Sequence, residues 1–598
     1  MTNNMVTVQF PLLNTEVEVE ENSLLSDACA QAGYPLNLVC GGKGKCKKCG
    51  VDIEENGVKK NVLSCQTKVY DGMQVMLKEE EQKAQILTSA VLDEINMAPA
   101  VYTVKIEADS LSTPLGANDW DILKTLINKD IEKPSLTVFQ KLSFQYHNPQ
   151  GIKLVLWKNT IIDVLPGDDE EAIYGIAFDL GTTSAVGYLY NLEEMKLVGI
   201  ESTTNKQTEM GGDVISRIDY VIRDNKNLDR LQKLGTKTLN EITEDLCKEH
   251  KIDEKHIYAT VVGGNSTMQH LLLGIYPEHL GKAPFTSTVQ DKIETSLKDI
   301  GLKGNPEGKL TFLHLLGGFV GADTTAVLVA LPKDNKPRLM LDLGTNGEIA
   351  VGKNTRYKVS STAGGPALEG AGLSSGMRGT HGAIERVSIE DGKLNYSVIG
   401  NVKPEGICGS GVIDLVSVLF NHKILNKRGA FVDPSKVTDE DLKKRLVVKD
   451  GVKSFILEFA DQSANGKDIY FTQDDVRQVQ LAKGAIYTGC VMVTDHYGIK
   501  GEDLEEIVIA GAFGNYIDVE HAQSIGMIPN FEGVPVRSLG NAAGTGAQMY
   551  LLSKEKQEEC DRIGEEAIFV ELADDPNFRS QYMKNTYFSN LLPTKEDQ

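Results

Sequence analysis

Apolar and polar residues alternate through VTVQF (6–10) and TEVEVE (15–20), the period of a strand pair with one buried face. The period changes in SLLSDACAQAG (23–33), which predicts a short helix with Ser23 as a cap candidate and Gly33 at its end. Alternation returns in GMQVML (72–77), and then stops: KEEEQKAQ (78–85) has no apolar face. Residues 81–98 read as a linker or exposed helix that lets the preceding 1–80 unit move. A small α/β unit follows over 99–170. Its VYTVKIEA (101–108), KLSFQY (141–146) and IKLVLWKNTIIDVLPG (152–167) predict strands. NDWDILKTLINKD (118–130) predicts a helix, with Trp120, Leu123 and Ile127 on one face and Asn118 as the cap candidate. Trp120 and Trp157 read as core residues.

From residue 171 to 598 the strands become long and apolar. IYGIAFDLGTTSAVGYLYN (173–191) runs a strand into Asp179, turns at Gly181-Thr182-Thr183, and continues as a second strand. RLMLDLGTNGEIAVG (338–352) repeats the design with Asp342, Gly344, Thr345 and Asn346. Two such strand–DxGT–strand hairpins point to nucleotide phosphates. Glycine lets the turn backbone approach phosphate oxygens, threonine hydroxyls and turn N–H groups donate to them, and an aspartate at a strand end can hold Mg²⁺ through water. A third strand, IVIAGAFGNYI (507–517), feeds Gly511-Ala512-Phe513-Gly514, a turn suited to pack on an adenine or ribose. GNAAGTGAQMYLL (540–552) predicts a small-residue helix in tight contact with a neighbour.

The cysteines are uneven. Cys40, Cys46 and Cys49 crowd one glycine-rich loop, VCGGKGKCKKCG, and Cys65 follows. Reduced cytosolic thiols in such a cluster indicate a metal site rather than a disulfide framework. Zinc ribbons use two C-x2-C knuckles, and this chain has one. Four thiolates, three from one loop, suit a 2Fe–2S cluster, and Gly41, Gly42, Gly44 and Gly50 let backbone N–H groups reach the sulfurs. Cys29 falls on the predicted helix and reads as a small apolar core residue. A net charge of −22 argues against a nucleic-acid partner, despite four lysines in GGKGKCKK. No apolar run reaches the ~18–20 residues that span a bilayer, and MTNNMVTVQF has no secretory pattern. The expectation is a cytoplasmic protein without a membrane partner.

Residues 5–80 resemble plant- and adrenodoxin-type 2Fe–2S ferredoxins, in spacing and in strand–helix context. Residues 173–552 are similar to the acetate and sugar kinase, heat-shock chaperone and actin superfamily. The order of ferredoxin domain, small middle domain and ATPase fold resembles the reductive activators of corrinoid enzymes. That likeness includes GGNSTMQHLLLG (263–274), FVGADTTAVL (319–328), GGPALEGAGLSSGMRG (364–379), GICGSGVIDLV (406–416) and QLAKGAI (480–486). The resemblance implies a β-grasp ferredoxin domain, a small α/β middle domain and an actin-like ATPase with duplicated ribonuclease H-like halves. It implies that the chain returns a corrinoid cofactor from Co(II) to Co(I) using ATP, an electron donor and the 2Fe–2S cluster, and it suggests a homodimer through the middle domain. A one-electron gap costs ~0.7 kcal/mol per 30 mV, so an uphill gap of roughly a few hundred millivolts would need several kcal/mol, which ATP binding and hydrolysis can provide.

On this resemblance Cys40, Cys46, Cys49 and Cys65 hold the cluster. Asp179 and Asp342 lie on the Mg²⁺ side. Gly181, Thr182, Thr183, Gly344, Thr345 and Asn346 take phosphates, and Gly511, Ala512 and Gly514 line the adenosine side. Asp323 in GADTT orients the attacking water. The Gly364–Gly382 stretch reads as a hinge or phosphate-side loop, with corrinoid contact as the alternative. A small-molecule kinase and a chaperone-like ATPase with a redox-sensing cluster are the alternative functions.

Overall fold

The computed structural model describes residues 5–11, 15–20, 23–31, 50–55, 58–64, 66–76, 95–127, 130–344, 346–370, 372–514 and 516–588. The chain forms two compact units: Met1–Leu331 with Ala542–Glu565, and Pro332–Asn541 with Glu566–Gln598. No helix among the described residues is long and apolar enough to cross a membrane.

In the first unit, strands β1 (Met5–Phe10), β2 (Thr15–Glu20), β3 (Gly50–Glu55), β4 (Val58–Leu63) and β5 (Met73–Val75) form a sheet of order β2-β1-β5-β3-β4. β1 pairs antiparallel with β2 and parallel with β5, the pattern of a β-grasp. The period-two pattern sends Val6, Val8 and Phe10 inward, against Leu25 and Ala28 of the helix Leu25–Gln31. Cys29 lies in that core, where burial pushes its thiol up to about 12; it stays a protonated apolar group. The predicted helix end at Gly33 and the 81–94 part of the predicted linker lie outside the described residues.

The next sheet is β6 (Val101–Ile106), β7 (Ile152–Trp157) and β8 (Thr160–Pro166). The helix Asp119–Ile127 forms as expected, with Asn118 Oδ1 accepting from the Asp121 N–H at 2.9 Å. Trp120 meets Phe139 edge-on at 5.3 Å. KLSFQY is not a strand: it completes the helix Leu136–Gln145. Leu142, Phe144 and Tyr146 imitate alternation, but the buried residues are Val138, Leu142 and Tyr146, at helical spacing, and Phe144 is 84% exposed. Ser135 Oγ caps this helix at the Val138 N–H. The buried Asp163 of β8 accepts hydrogen bonds from Lys141, from Tyr258 Oη at 2.8 Å and from Asn305 Nδ2 at 2.8 Å, so this small domain is joined to the strand that carries Tyr258.

That strand belongs to a six-stranded sheet: β9 (Tyr174–Leu180), β10 (Ser184–Asn191), β11 (Lys196–Thr204), β12 (Ile257–Gly264), β13 (Ile293–Ser296) and β14 (Lys309–Phe312). Its order is β11-β10-β9-β12-β14-β13. In the second unit, β15 (Arg338–Leu343), β16 (Gly347–Lys353), β17 (Arg356–Thr362), β24 (Glu506–Ala510) and β25 (Val536–Ser538) lie in the order β25-β24-β15-β16-β17, with β26 (Ile568–Phe569) at the edge. Each sheet is built from a central strand, an antiparallel hairpin on one side and two parallel strands on the other, with β13 added antiparallel at the edge of the first sheet. These are the duplicated ribonuclease H-like halves of an actin-like fold. Within the second half, between β17 and β24 in sequence, lie two three-stranded sheets, β18–β20 (Ala383–Glu390, Lys393–Val398, Gly406–Ile407) and β21–β23 (Leu446–Lys449, Val452–Glu458, Ile469–Thr472).

The helix Ala542–Leu552 is buried along its whole length against the helix Ala322–Ala330. A Cβ on Gly546 would stand 1.8 Å from the Ala326 carbonyl oxygen, so only glycine allows this approach. Gly546→Val is expected to cost about 3 kcal/mol through forced helix separation. Thermal unfolding followed by circular dichroism checks this, and an unchanged midpoint would mean the helices part freely.

Candidate functional site

β9 brings its apolar residues Ile176, Ala177 and Phe178 into the core and ends beside Asp179 at the turn. Gly181 closes the turn, its N–H donating to the Ser184 carbonyl at 2.9 Å; a Cβ there would stand 2.8 Å from that oxygen. The carbonyls of Gly181, Thr182 and Thr183 are all held by neighbouring segments. Asn205 Nδ2 donates to Gly181 O at 2.9 Å, Asn205 N to Thr183 O at 2.9 Å, and the Arg217 guanidinium to Thr182 O. Asn265 Nδ2 donates to Thr182 Oγ1 at 3.0 Å, while its Oδ1 caps the helix Ser266–Leu273 at the Met268 N–H. The turn is therefore fixed from its carbonyl side by groups far apart in sequence.

Asp323 opens the helix Ala322–Ala330 and accepts from the Thr324 N–H at 2.8 Å. Gly321 allows the start of this helix to approach the end of β12 and the residue after it: a Cβ would stand 2.5 Å from Asn265 Cα and 3.0 Å from Gly264 O. Burial, and then the charge of Asp179, push the Asp323 carboxyl up to about 6, against the Thr324 N–H bond that lowers it. Asp179, Asp323 and the Gly181–Thr183 turn thus form one group within the first unit.

The second unit holds the matching group. Asp342 is the penultimate residue of β15, and the Gly344 N–H donates to Asn346 O at 3.0 Å; Thr345 lies outside the described residues. Gly511 has φ +84°, and a Cβ on it would stand 2.5 Å from Asp342 Oδ1. Both facts require glycine there, and both bring the Gly511–Gly514 helix to the aspartate. Gly511 N donates to Gly540 O at 3.1 Å. Gly514 is small for another reason, since a Cβ would press on Ile509 Cγ2 at 2.6 Å; Ala512 lies between the two glycines. Either aspartate could serve a divalent cation through its carboxylate oxygens.

Cys40, Cys46, Cys49 and Cys65 lie outside the described residues. Two of them have described neighbours: β3 begins right after Cys49, and Ser64 precedes Cys65. Ser26 N donates to Ser64 O at 3.2 Å, joining the helix start to this turn. The hydroxyls of Ser26 and Ser64 are buried without a partner among the described residues. Buried donors of this kind suit the sulfurs of a cluster. The Gly364–Gly382 stretch is tied down at Ser374, whose N–H donates to Asp475 at 2.9 Å, and at Ser375, whose Oγ accepts from the Tyr470 N–H. Cys408 is buried.

Asn205, Arg217 and Asn265 were not singled out by sequence. Asn265 carried a readable signal, the cap position before Ser266-Thr267. Arg217 carried a weaker one, a cation on the buried face of its helix beside Ile218 and Val221.

The fold and these sites define an actin-like protein with a fused 2Fe–2S ferredoxin domain. Residues 5–80 match the 2Fe-2S iron-sulfur cluster binding domain, 174–335 the RACo middle region, and 336–595 the C-terminal domain of RACo, the ASKHA domain. The chain is 51% identical over 98% of its length to the corrinoid activation enzyme RamQ of Eubacterium limosum, covering 99% of that protein. It is 25% identical over 70% of its length to the [Co(II) methylated amine-specific corrinoid protein] reductase of Methanosarcina barkeri, covering 78% of it. A solved reductive activator for a corrinoid, iron–sulfur protein superposes with a TM-score of 0.70 at 28% identity, over 98% of each chain. The chain belongs to this family of reductive activators of corrinoid enzymes.

Proposed function

We propose that this chain is a cytoplasmic, ATP-dependent activator that reduces the Co(II) corrinoid of a partner protein to Co(I). The observation that carries the reading is the pair of aspartate–glycine hairpins on duplicated halves in a chain that also carries a 2Fe–2S domain. The names of the relatives support the corrinoid partner. When bound, the 2Fe–2S cluster supplies one-electron transfer, and Cys40, Cys46, Cys49 and Cys65 would hold it. Gly181, Thr182 and Thr183 bind phosphate oxygens at one hairpin, and Gly344, Thr345 and Asn346 at the other. Asp179 and Asp342 would hold Mg²⁺, which would neutralise phosphate charge there. Asp323 accepts a proton from the attacking water, a role suited to a carboxyl lifted to about 6. Gly511, Ala512 and Gly514 line the adenosine side.

On this reading residues 1–80 carry the electron, 81–98 tether them, 99–170 form the dimer contact and 171–598 bind and hydrolyse ATP. Leu136 and Phe144, 72% and 84% exposed on one helix, support the contact assignment. ATP can drive the uphill electron only through differential affinity for the states it switches between. The Co(II) partner is therefore expected to raise the hydrolysis rate above that with Co(I) or methylated cobalt. An anaerobic visible spectrum of a Co(II) corrinoid protein with this chain, a reductant and ATP is expected to show Co(I) formation. Equal Co(I) yield without ATP, with equal ATPase rates for all three cobalt states, would leave the kinase or chaperone alternative.

A further inference from the structure

Arg217 is the bulkiest side chain among those fully buried in the described residues, at 0% exposure. Its Nε donates to Gly211 O at 2.9 Å, its Nη1 to Gln207 Oε1 at 3.4 Å and Met268 Sδ at 3.5 Å, and its Nη2 to Thr182 O. Every one of these acceptors is neutral. Burial lowers the guanidinium to about 10, partly offset by the charge of Asp213, so it remains a cation at neutral pH. A buried cation without a carboxylate in contact is costly, by several kcal/mol, unless another negative group balances it.

The surroundings are built to hold this fork. Gln207 Nε2 donates to Leu231 O at 3.0 Å, which turns its Oε1 toward Arg217. Gln207 N donates to Asn205 Oδ1 at 3.0 Å, and Asn205 itself bonds Gly181 and Thr183. Gly211 is small enough to lie against the arginine, since a Cβ would stand 3.0 Å from Arg217 N and 3.1 Å from its Cγ. The network ends at the three carbonyls of one turn. A cation fixed behind a turn strengthens the attraction of that turn for an anion on its other side, because low-dielectric surroundings do not screen it.

We propose that Arg217 is a positioning residue for nucleotide phosphate: its fork fixes the Gly181–Thr183 turn, and bound phosphate balances its buried charge. The assignment rests on reading that turn as a phosphate site. The bond to Thr182 is charge-assisted, so losing it should release the turn and weaken ATP about tenfold or more. Affinity for ATP and for adenosine would be measured by calorimetry on the full-length, cluster-loaded chain, for wild type, Arg217→Gln, Arg217→Lys and the exposed control Arg223→Gln. Both Arg217 variants are expected to weaken ATP at least tenfold and adenosine less than twofold, and Arg223→Gln to change neither. Arg217→Lys keeps the charge but has one ammonium for several acceptors; it decides the matter should Arg217→Gln not fold. If the wild type binds ATP and the variants lose ATP and adenosine alike, or lose neither, the assignment is overturned alone. If the wild type binds no ATP, the nucleotide reading goes with it.

Discussion

Asp323→Asn is expected to lower ATP hydrolysis by about 10²- to 10⁴-fold, the range that a positioned general base contributes. ATP affinity should stay within about threefold, because the amide keeps the acceptor for the Thr324 N–H and removes a negative charge beside Asp179. Wild-type hydrolysis should rise with pH through about 6, where the carboxyl ionises, and the variant should lack that limb. Stability supplies a second readout. The folded carboxyl sits above its ordinary value, so the native state holds the proton more tightly than the unfolded chain. Its contribution is therefore most favourable below the ordinary aspartate range and falls as pH rises from about 4 to about 6. The variant, which carries no such carboxyl, should gain midpoint temperature over wild type at pH 7 and lose that gain near pH 4. Unchanged hydrolysis with the stability gain intact would make Asp323 a strained helix-start aspartate and no base.

Cys65→Ala is expected to remove most of the 2Fe–2S absorption and most of the about two iron atoms per chain that four thiolates hold. Cys29→Ala should keep both, because that thiol lies within an apolar core and costs only a small cavity, about 1 kcal/mol, when shortened. Loss of Co(I) formation should accompany the first substitution and not the second. ATP binding should survive Cys65→Ala, since Asp179 and Asp342 lie on separate sheets from β1–β5. Equal iron loss in the two variants would overturn the ligand assignment.

Local chemistry made much of this legible in the chain alone. The β1–β2 pair, the Asp119–Ile127 helix and the two hairpins follow from short-range alternation and turn residues, which act over a few positions. Leu136–Gln145 misled, because Leu142, Phe144 and Tyr146 alternate by chance, and only packing of Val138, Leu142 and Tyr146 against the β6–β8 sheet decides the period. The 540–552 stretch was readable as a tightly packed small-residue helix, but not that Gly546 is its point of closest approach or that its neighbour is Ala326.

The candidate site divides in the same way. Sequence by itself determined the residue types proposed to meet nucleotide, Asp179 with Gly181–Thr183 and Asp342 with Gly344–Asn346, because a turn suited to approach phosphate combines these types next to one another. Tertiary structure alone decided that Asp323 feels the charge of Asp179, that Gly511 is open to the Asp342 carboxylate, and that Asn205, Arg217 and Asn265 hold the first turn from behind. Those pairings span tens to hundreds of residues in the chain. They are set by sheet order and helix packing, and no local pattern encodes which distant side chain will fill the space behind a turn.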